Sequence, residues 1–195
     1  MKIIGITGGI GSGKSVVLNI LKEEHNAYII EADSLAHRLM EPGETAYKKI
    51  VAEFGSRVLA EDKTIDRGKM GGLVFHDREK LEKLNAIVHP AVKQKILQSI
   101  DEQRKLGTEL FVIEAALLIQ DGYKKICDEL WYIYCSRELR IKRLMDFRGY
   151  TRQRAETVIA SQEPEEFFRE HCDKVLENQG DISHIKMVVF NILYQ

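Results

Sequence analysis

"GITGGIGSGKSV", residues 5–16, is the stretch that decides the fold. It follows the apolar start MKII and precedes VLNILKEEH, so a short strand runs into a glycine-rich turn and then into a helix. Gly8, four residues, then Gly13, Lys14 and Ser15 fit the G-x-x-x-x-G-K-[ST] pattern of a phosphate-binding loop. Glycine permits positive φ and carries no Cβ, so consecutive backbone N–H groups can turn inward around a phosphate. The helix that follows adds unpaired donors and the positive end of its dipole at the same point. The predicted nucleotide contacts are therefore Gly8, Gly9, Ile10, Gly11, Ser12, Gly13, Lys14, Ser15 and Val16. Lys14 is placed to reach the β/γ-phosphates as a point charge, and the Ser15 hydroxyl to ligate Mg²⁺. An ordinary strand-to-helix turn is the competing reading. The position of the motif between a β-like and a helix-like run favours the phosphate cradle.

Composition sets the bounds around this motif. The chain has 195 residues, enough for one sizeable core, and its 44% hydrophobic and 30% charged residues give a soluble globular balance. A formal net charge of −1 argues against a broad electrostatic footprint for nucleic acid or anionic membrane. Cys127, Cys135 and Cys172 are odd in number and form no C-x-x-C, so reduced thiols and a cytoplasmic setting are expected. The histidines show no ligand spacing with them, and no metal beyond nucleotide-bound Mg²⁺ is expected. No apolar run approaches the length of a membrane span, and the phosphate loop comes too early for a signal peptide before it. No obligate protein partner is evident.

Strand candidates are short and apolar: KIIGIT (2–7), AYIIEA (27–32), LFVIEA (110–115), LWYIYC (130–135) and KVLEN (174–178). They are nearly continuous rather than alternating, as suits strands covered on both faces. Helical periodicity lies between them, over 14–24, 34–40, 47–54, 78–88, 91–105, 137–146, 152–160 and 182–194. Alternating strands and helices predict an α/β fold with a doubly wound, parallel, five-stranded sheet flanked by helices, and ligands at the carboxyl ends of the strands. The segment from Asp33 to Glu109 shows no strand signal and is far longer than one crossover needs, so a helical unit is inserted there.

Several segments then resemble dephospho-CoA kinases in the order in which that family carries them. They are IIEADSLAHRLMEPG (29–43), VAEFGSRVLAEDKTIDRGKMGGLVF (51–75), LEKLNAIVHPAV (81–92), LLIQDGYKKICDELWYIY (117–134) and IASQ (159–162). The resemblance spans nearly the whole chain and implies a P-loop kinase fold. One domain over 1–195 would have its core sheet at about 1–33 and 109–195, a helical acceptor-binding insertion at about 60–105 and a helical lid at about 137–162. The implied substrates are ATP and dephospho-CoA, with Mg²⁺ accompanying ATP, and the implied reaction is phosphorylation of the ribose 3′-hydroxyl to give CoA and ADP. A catalytically weak nucleotide-binding relative and a P-loop kinase for another small metabolite are the alternatives. A GTPase would need a guanine-reading N/T-K-x-D stretch, and the sequence has none.

Asp33 lies just past the second strand at the carboxyl edge of the sheet, close to the phosphate loop if the first two strands are neighbours. A carboxylate there can take the proton of an attacking hydroxyl, or it can simply cap the helix that starts at Ser34. By resemblance its partner is the acceptor ribose. Acceptor contacts are likewise implied for Arg67, His89 and Leu117. The local alternatives are a surface pair at a helix start for Asp66-Arg67 and a helix-opening proline turn for His89-Pro90. Glu31 stands where the family usually has another aspartate.

SRELRIKRLMDFRGYTRQRA (136–155) carries six arginines. A solvated helix face tolerates that, but a P-loop kinase also needs an arginine-bearing lid over ATP. Arg143 matches the family's lid arginine and is the third catalytic candidate beside Lys14 and Asp33. Four residues on, where the family usually has a second arginine, this chain has Phe147, with Arg148 one position later. One residue turns a helical side chain by about 100°, so Arg148 reaches ATP only if the lid bends there. Gly149 relaxes the backbone, and the bend is expected. Val158 and Gln120 also replace residues usual in the family, an arginine and a glutamate.

Overall fold

All five apolar runs form strands: β1 Lys2–Thr7, β2 Tyr28–Glu31, β3 Leu110–Glu114, β4 Glu129–Tyr134 and β5 Lys174–Glu177. The computed structural model describes residues 1–194. Nine helices accompany the strands among these residues: α1 Lys14–His25, α2 Ala32–Leu39, α3 Thr45–Phe54, α4 Arg67–Val74, α5 Arg78–Lys105, α6 Arg137–Arg148, α7 Arg152–Ala160, α8 Glu165–His171 and α9 Ile182–Tyr194. β3 is buried at every position, which only a sheet covered on both faces allows.

The sheet is parallel with the order β2-β3-β1-β4-β5. β1 is therefore central, with Ile6 opposite Glu114 of β3 and Thr7 opposite Tyr132 of β4. β1 and β2 are not neighbours, the condition on which the sequence places Asp33 close to the phosphate loop, because β3 lies between them. The consequence is that the acidic end of β3, not that of β2, stands beside the phosphate loop.

Two compact units divide the chain: residues 1–30 with 103–195, and residues 31–102. In the first, Ile4, Ile6, Val17, Leu21, Val112, Trp131, Ile133, Leu176, Ile185 and Val189 form one apolar cluster joining β1, β3, β4 and β5 to α1 and α9. Ile141, Leu144 and Ala155 form a second cluster where α6 meets α7, with Ile10 of the phosphate loop packed against it. In the second unit α3 buries Ala46, Ile50 and Phe54, and α4 buries Met70 and Val74.

Besides shifts of about two residues at helix ends, one pair of expected helices is continuous and two helices, α4 and α8, lie outside the sequence expectation. The segments 78–88 and 91–105 are a single helix of 28 residues with Pro90 inside it. An interior proline costs about 3 kcal/mol through a lost hydrogen bond and a steric clash. Buried Val88, Val92, Ile96 and Ile100 recur every four residues across it, and this stripe holds the helix together. α4 contains glycines and no clear periodicity, yet Asp66 caps it by accepting from the Lys69 amide at 2.9 Å. α8 starts after Pro164, pairs Arg169 with Glu165 at 2.6 Å and buries Phe168, whose ring stacks on Tyr132. Among the described residues no helix is long and apolar enough to cross a membrane.

Candidate active site

Between Thr7 and Lys14 the chain leaves the central strand and enters α1 through three glycines at positive φ: Gly8 at 157°, Gly11 at 78° and Gly13 at 85°. Gly13 is the N-cap of α1, and no side chain caps the helix. The Val16 amide donates back to the Gly13 carbonyl at 3.0 Å, and the positive end of the helix dipole faces the loop, as a phosphate cradle requires. Lys14 opens the helix and Ser15 follows it, exposed in the first turn. The Lys14 ammonium donates to the Gly8 carbonyl at 2.7 Å and lies 3.6 Å from the Glu114 carboxylate. The lysine is thus folded back along the loop by groups at the carboxyl ends of β1 and β3.

Glu114 was not singled out in the sequence, where it reads as the last residue of an apolar strand. Its signal is a carboxylate closing a buried strand, and the site is apparent only once β3 is known to lie beside β1. Thr7 Oγ1 and Ser12 Oγ are buried without a hydrogen-bond partner among the described residues. These two hydroxyls, the exposed Ser15 hydroxyl and the Glu114 carboxylate make an all-oxygen set, which is the donor chemistry Mg²⁺ takes. Among the described residues no cluster of three or more His, Cys, Asp or Glu could hold a metal alone. The residues therefore fit an ion held jointly with nucleotide phosphates, with Ser15 as the loop's own ligand.

The carbonyl side of the loop is held just as closely. Arg143 of α6 donates to the Ser12 carbonyl at 3.2 Å, to the Gly11 carbonyl at 3.5 Å and to the backbone carbonyl of Asn178 at 3.2 Å. The buried Asn178 side chain, just after β5, donates to the carbonyls of Ser12 at 2.7 Å and Gly13 at 3.4 Å. Arg140 donates to the Ile10 carbonyl at 2.8 Å and to Gln162 at 2.5 Å, while Gln162 accepts from the Ile10 amide at 2.9 Å. A Cβ at Gly9 would strike the Arg140 guanidinium, and one at Gly13 the Asn178 amide. These two glycines are required by the side chains packed behind the loop as well as by its turn. Desolvation against the loop pushes the Arg140 pKa down and also pushes the Cys135 thiol up, although Arg143 and Arg140 oppose the latter. Arg140 and Asn178 carry no motif of their own, and Gln162 closes the family-like IASQ segment; none of the three is a loop contact on sequence grounds.

The structure thus brings Gly8 to Val16 and Arg143 together, with Arg143 on the loop's carbonyls. Arg148 is not brought there. α6 remains a regular helix through Arg148 and ends at Gly149, left-handed at φ 62°. The expected bend falls after Arg148, so the rotation between positions 147 and 148 stands. Phe147 is 83% exposed, and Arg148 is also exposed. Two arginines of α7 serve local contacts: Arg152 pairs with Glu138 at 2.7 Å, and Arg154 lies over the Tyr150 ring.

Asp33 is exposed in the first turn of α2, whose N-cap is Glu31; the helix starts at Ala32, so Asp33 is not its cap. Its charge complements the helix dipole, and no hydrogen bond engages its carboxylate among the described residues. Glu31 makes no side-chain cap either. Arg67 is the exposed first residue of α4, and His89 is half-buried in mid-α5 rather than in a helix-opening turn. Leu117, 47% exposed, lies in the turn after β3. Gln120 donates to Glu163 at 3.4 Å.

Comparison with known proteins agrees with this architecture. The family model for dephospho-CoA kinase matches residues 2–184. A curated dephospho-CoA kinase of Carboxydothermus hydrogenoformans is 40% identical over 193 residues, covering 99% of this chain and 93% of the relative. A crystal structure of a Thermus thermophilus protein superposes with a TM-score of 0.80 at 31% identity, covering 98% of this chain and 96% of that one. The dephospho-CoA kinase of Campylobacter jejuni superposes with a TM-score of 0.72 at 25% identity, covering 99% and 96%. With the phosphate loop on the central strand and a family match along nearly its whole length, this chain belongs to the dephospho-CoA kinase family.

Proposed function

We propose that the protein transfers the γ-phosphoryl group of ATP to the ribose 3′-hydroxyl of dephospho-CoA, giving CoA and ADP, the last step of coenzyme A biosynthesis. The observation that carries this reading is the family match over residues 2–184, borne by a chain whose phosphate loop is complete. The first-turn amides of α1 and Lys14 bind the ATP phosphates, and Lys14 leaves its carbonyl and carboxylate partners to do so. Mg²⁺ bound at Ser15 with the nucleotide would offset charge on the phosphates. Asp33 takes the proton as the 3′-oxygen bonds to the γ-phosphorus and the bond to the β-phosphate oxygen breaks. Arg143 holds fixed positive charge at the Gly11–Ser12 segment throughout. Arg67, His89 and Leu117 contact the acceptor.

Incubation with Mg-ATP and, separately, dephospho-CoA, adenosine, pantetheine and shikimate tests the reading through ADP release. Release above background with dephospho-CoA alone is expected. Equal or greater release with another acceptor would assign a different kinase specificity, and release with none would leave a nucleotide-binding relative.

A further inference from the structure

The phosphate loop is usually considered from the side of its amides, whereas here the carbonyl side is engaged by three side chains from beyond β4. The Asn178 amide faces two carbonyl oxygens, Ser12 at 2.7 Å and Gly13 at 3.4 Å, so only its NH₂ group can point that way. Asn178 is 2% exposed, and its own amide and carbonyl are tied to the Tyr134 carbonyl and to Arg143. It is therefore fixed before any ligand arrives. At the other end of the loop, Gln162 and Arg140 grip both sides of residue 10: the Ile10 amide goes to Gln162 and the Ile10 carbonyl to Arg140.

A peptide group is planar, so fixing where its carbonyl points also fixes where its N–H points. The Ser12 carbonyl belongs to the same peptide as the Gly13 amide, and the Gly13 carbonyl to the same peptide as the Lys14 amide. We infer that Asn178 and Gln162 are positioning residues of the phosphate cradle: Asn178 holds the Ser12 and Gly13 carbonyls outward, and Gln162 anchors the Ile10 amide beside Arg140, so that the Gly13 and Lys14 peptides meet ATP without reorganisation. The inference rests on the proposal that this loop binds ATP. Neither residue touches the phosphates; each acts through the backbone it holds. Preorganised donors lose less on binding than donors that must first turn, so the effect falls on nucleotide affinity.

Asn178→Asp keeps the shape but sets an acceptor against two carbonyl oxygens. Gln162→Met keeps the length and removes the acceptor for the Ile10 amide and for Arg140. Equilibrium titration of ATP into each variant and the wild type, KM for both substrates and thermal melting together form the test. Each variant is expected to bind ATP about tenfold more weakly, with the KM for dephospho-CoA changed less than about twofold, whereas a purely structural role would lower melting without this split. Gln162→Glu, which retains the acceptor, is expected to restore most of the affinity lost in Gln162→Met. Folded variants that bind ATP like the wild type overturn the inference. If Asn178→Asp does not fold, the Gln162 pair decides by the same criterion. A folded wild type that binds no ATP overturns the underlying reading and the inference together, and is thereby distinguished from failure of the inference alone.

Discussion

Gly13→Ala tests whether the packing behind the phosphate loop is as tight as its geometry implies. Gly13 sits at φ 85°, a left-handed conformation that costs an L-residue about 1–2 kcal/mol. A Cβ there meets the Asn178 amide nitrogen and comes within 3.1 Å of Arg143 Nη1. The nearest atom belongs to a side chain buried and bonded on both sides, so it cannot swing away without giving up its bonds to Ser12 and Gly13. Leaving the buried Asn178 NH₂ group without these acceptors adds about 1–3 kcal/mol, for a total of about 2–5 kcal/mol. Gly149→Ala is the control: its φ is 62°, but nothing lies within 4 Å of the added Cβ, so the backbone cost of about 1–2 kcal/mol stands alone. In a chain of this size 1 kcal/mol lowers Tm by about 2–4 °C. Gly13→Ala should therefore melt about 2–12 °C below Gly149→Ala, measured side by side by circular dichroism. Equal melting temperatures would refute the argument, because they would mean that the Asn178 amide yields to the methyl group at no cost.

Other perturbations address the chemistry and the lid. Asp33→Asn should lower kcat by about 10²–10⁴ with little change in ATP affinity; a kcat that holds while Tm falls would reduce Asp33 to a helix-dipole contact. Because α6 is regular through Arg148, Arg148→Ala should be nearly silent in steady-state kinetics, while Phe147→Arg should raise kcat. A loss of more than tenfold in Arg148→Ala would show instead that the lid unwinds during turnover. Burial pushes the Cys127 and Cys172 thiols up from 9.0 to about 12, with Asp128 and Asp173 adding to the effect. The folded protein thus holds these protons where the unfolded chain has released them, so stability is full below about pH 9 and falls as pH rises toward 12. Urea midpoints between pH 8 and pH 11 should decline, and Cys127→Ala should flatten the decline; an unchanged slope in the variant would exclude Cys127 as its source.

Much of the first unit was legible because its signals are local. The glycines, Lys14 and Ser15 specify their turn through backbone freedom and charge within eight residues, and buried parallel strands announce themselves as unbroken apolar runs. What was not legible depends on contacts distant in sequence. β3 inserts between β1 and β2, which makes Glu114 the neighbour of Lys14, and no local pattern encodes strand order. Asn178 and Gln162 look like loop residues until β5 and the α6–α7 pair bring them to the phosphate loop, more than 150 residues earlier in the chain. At Pro90 the local rule for ending a helix was outweighed by an apolar stripe that runs through it. The Arg148 expectation weighed the freedom of Gly149 correctly but placed its effect one residue too early, because a glycine in the left-handed region ends a helix after its predecessor.

The central claim is a direct transfer from ATP to one hydroxyl of dephospho-CoA, and mapping the transferred phosphate tests it most directly. The protein is incubated with γ-labelled ATP, Mg²⁺ and dephospho-CoA, and both the small-molecule product and the protein are analysed for label, with Lys14→Ala alongside. Label is predicted at the ribose 3′-oxygen of a product identical to CoA, in step with ADP release, with none retained on the protein and almost none transferred by folded Lys14→Ala. Label on the protein, label at another position of the acceptor, or undiminished transfer by Lys14→Ala would contradict the account.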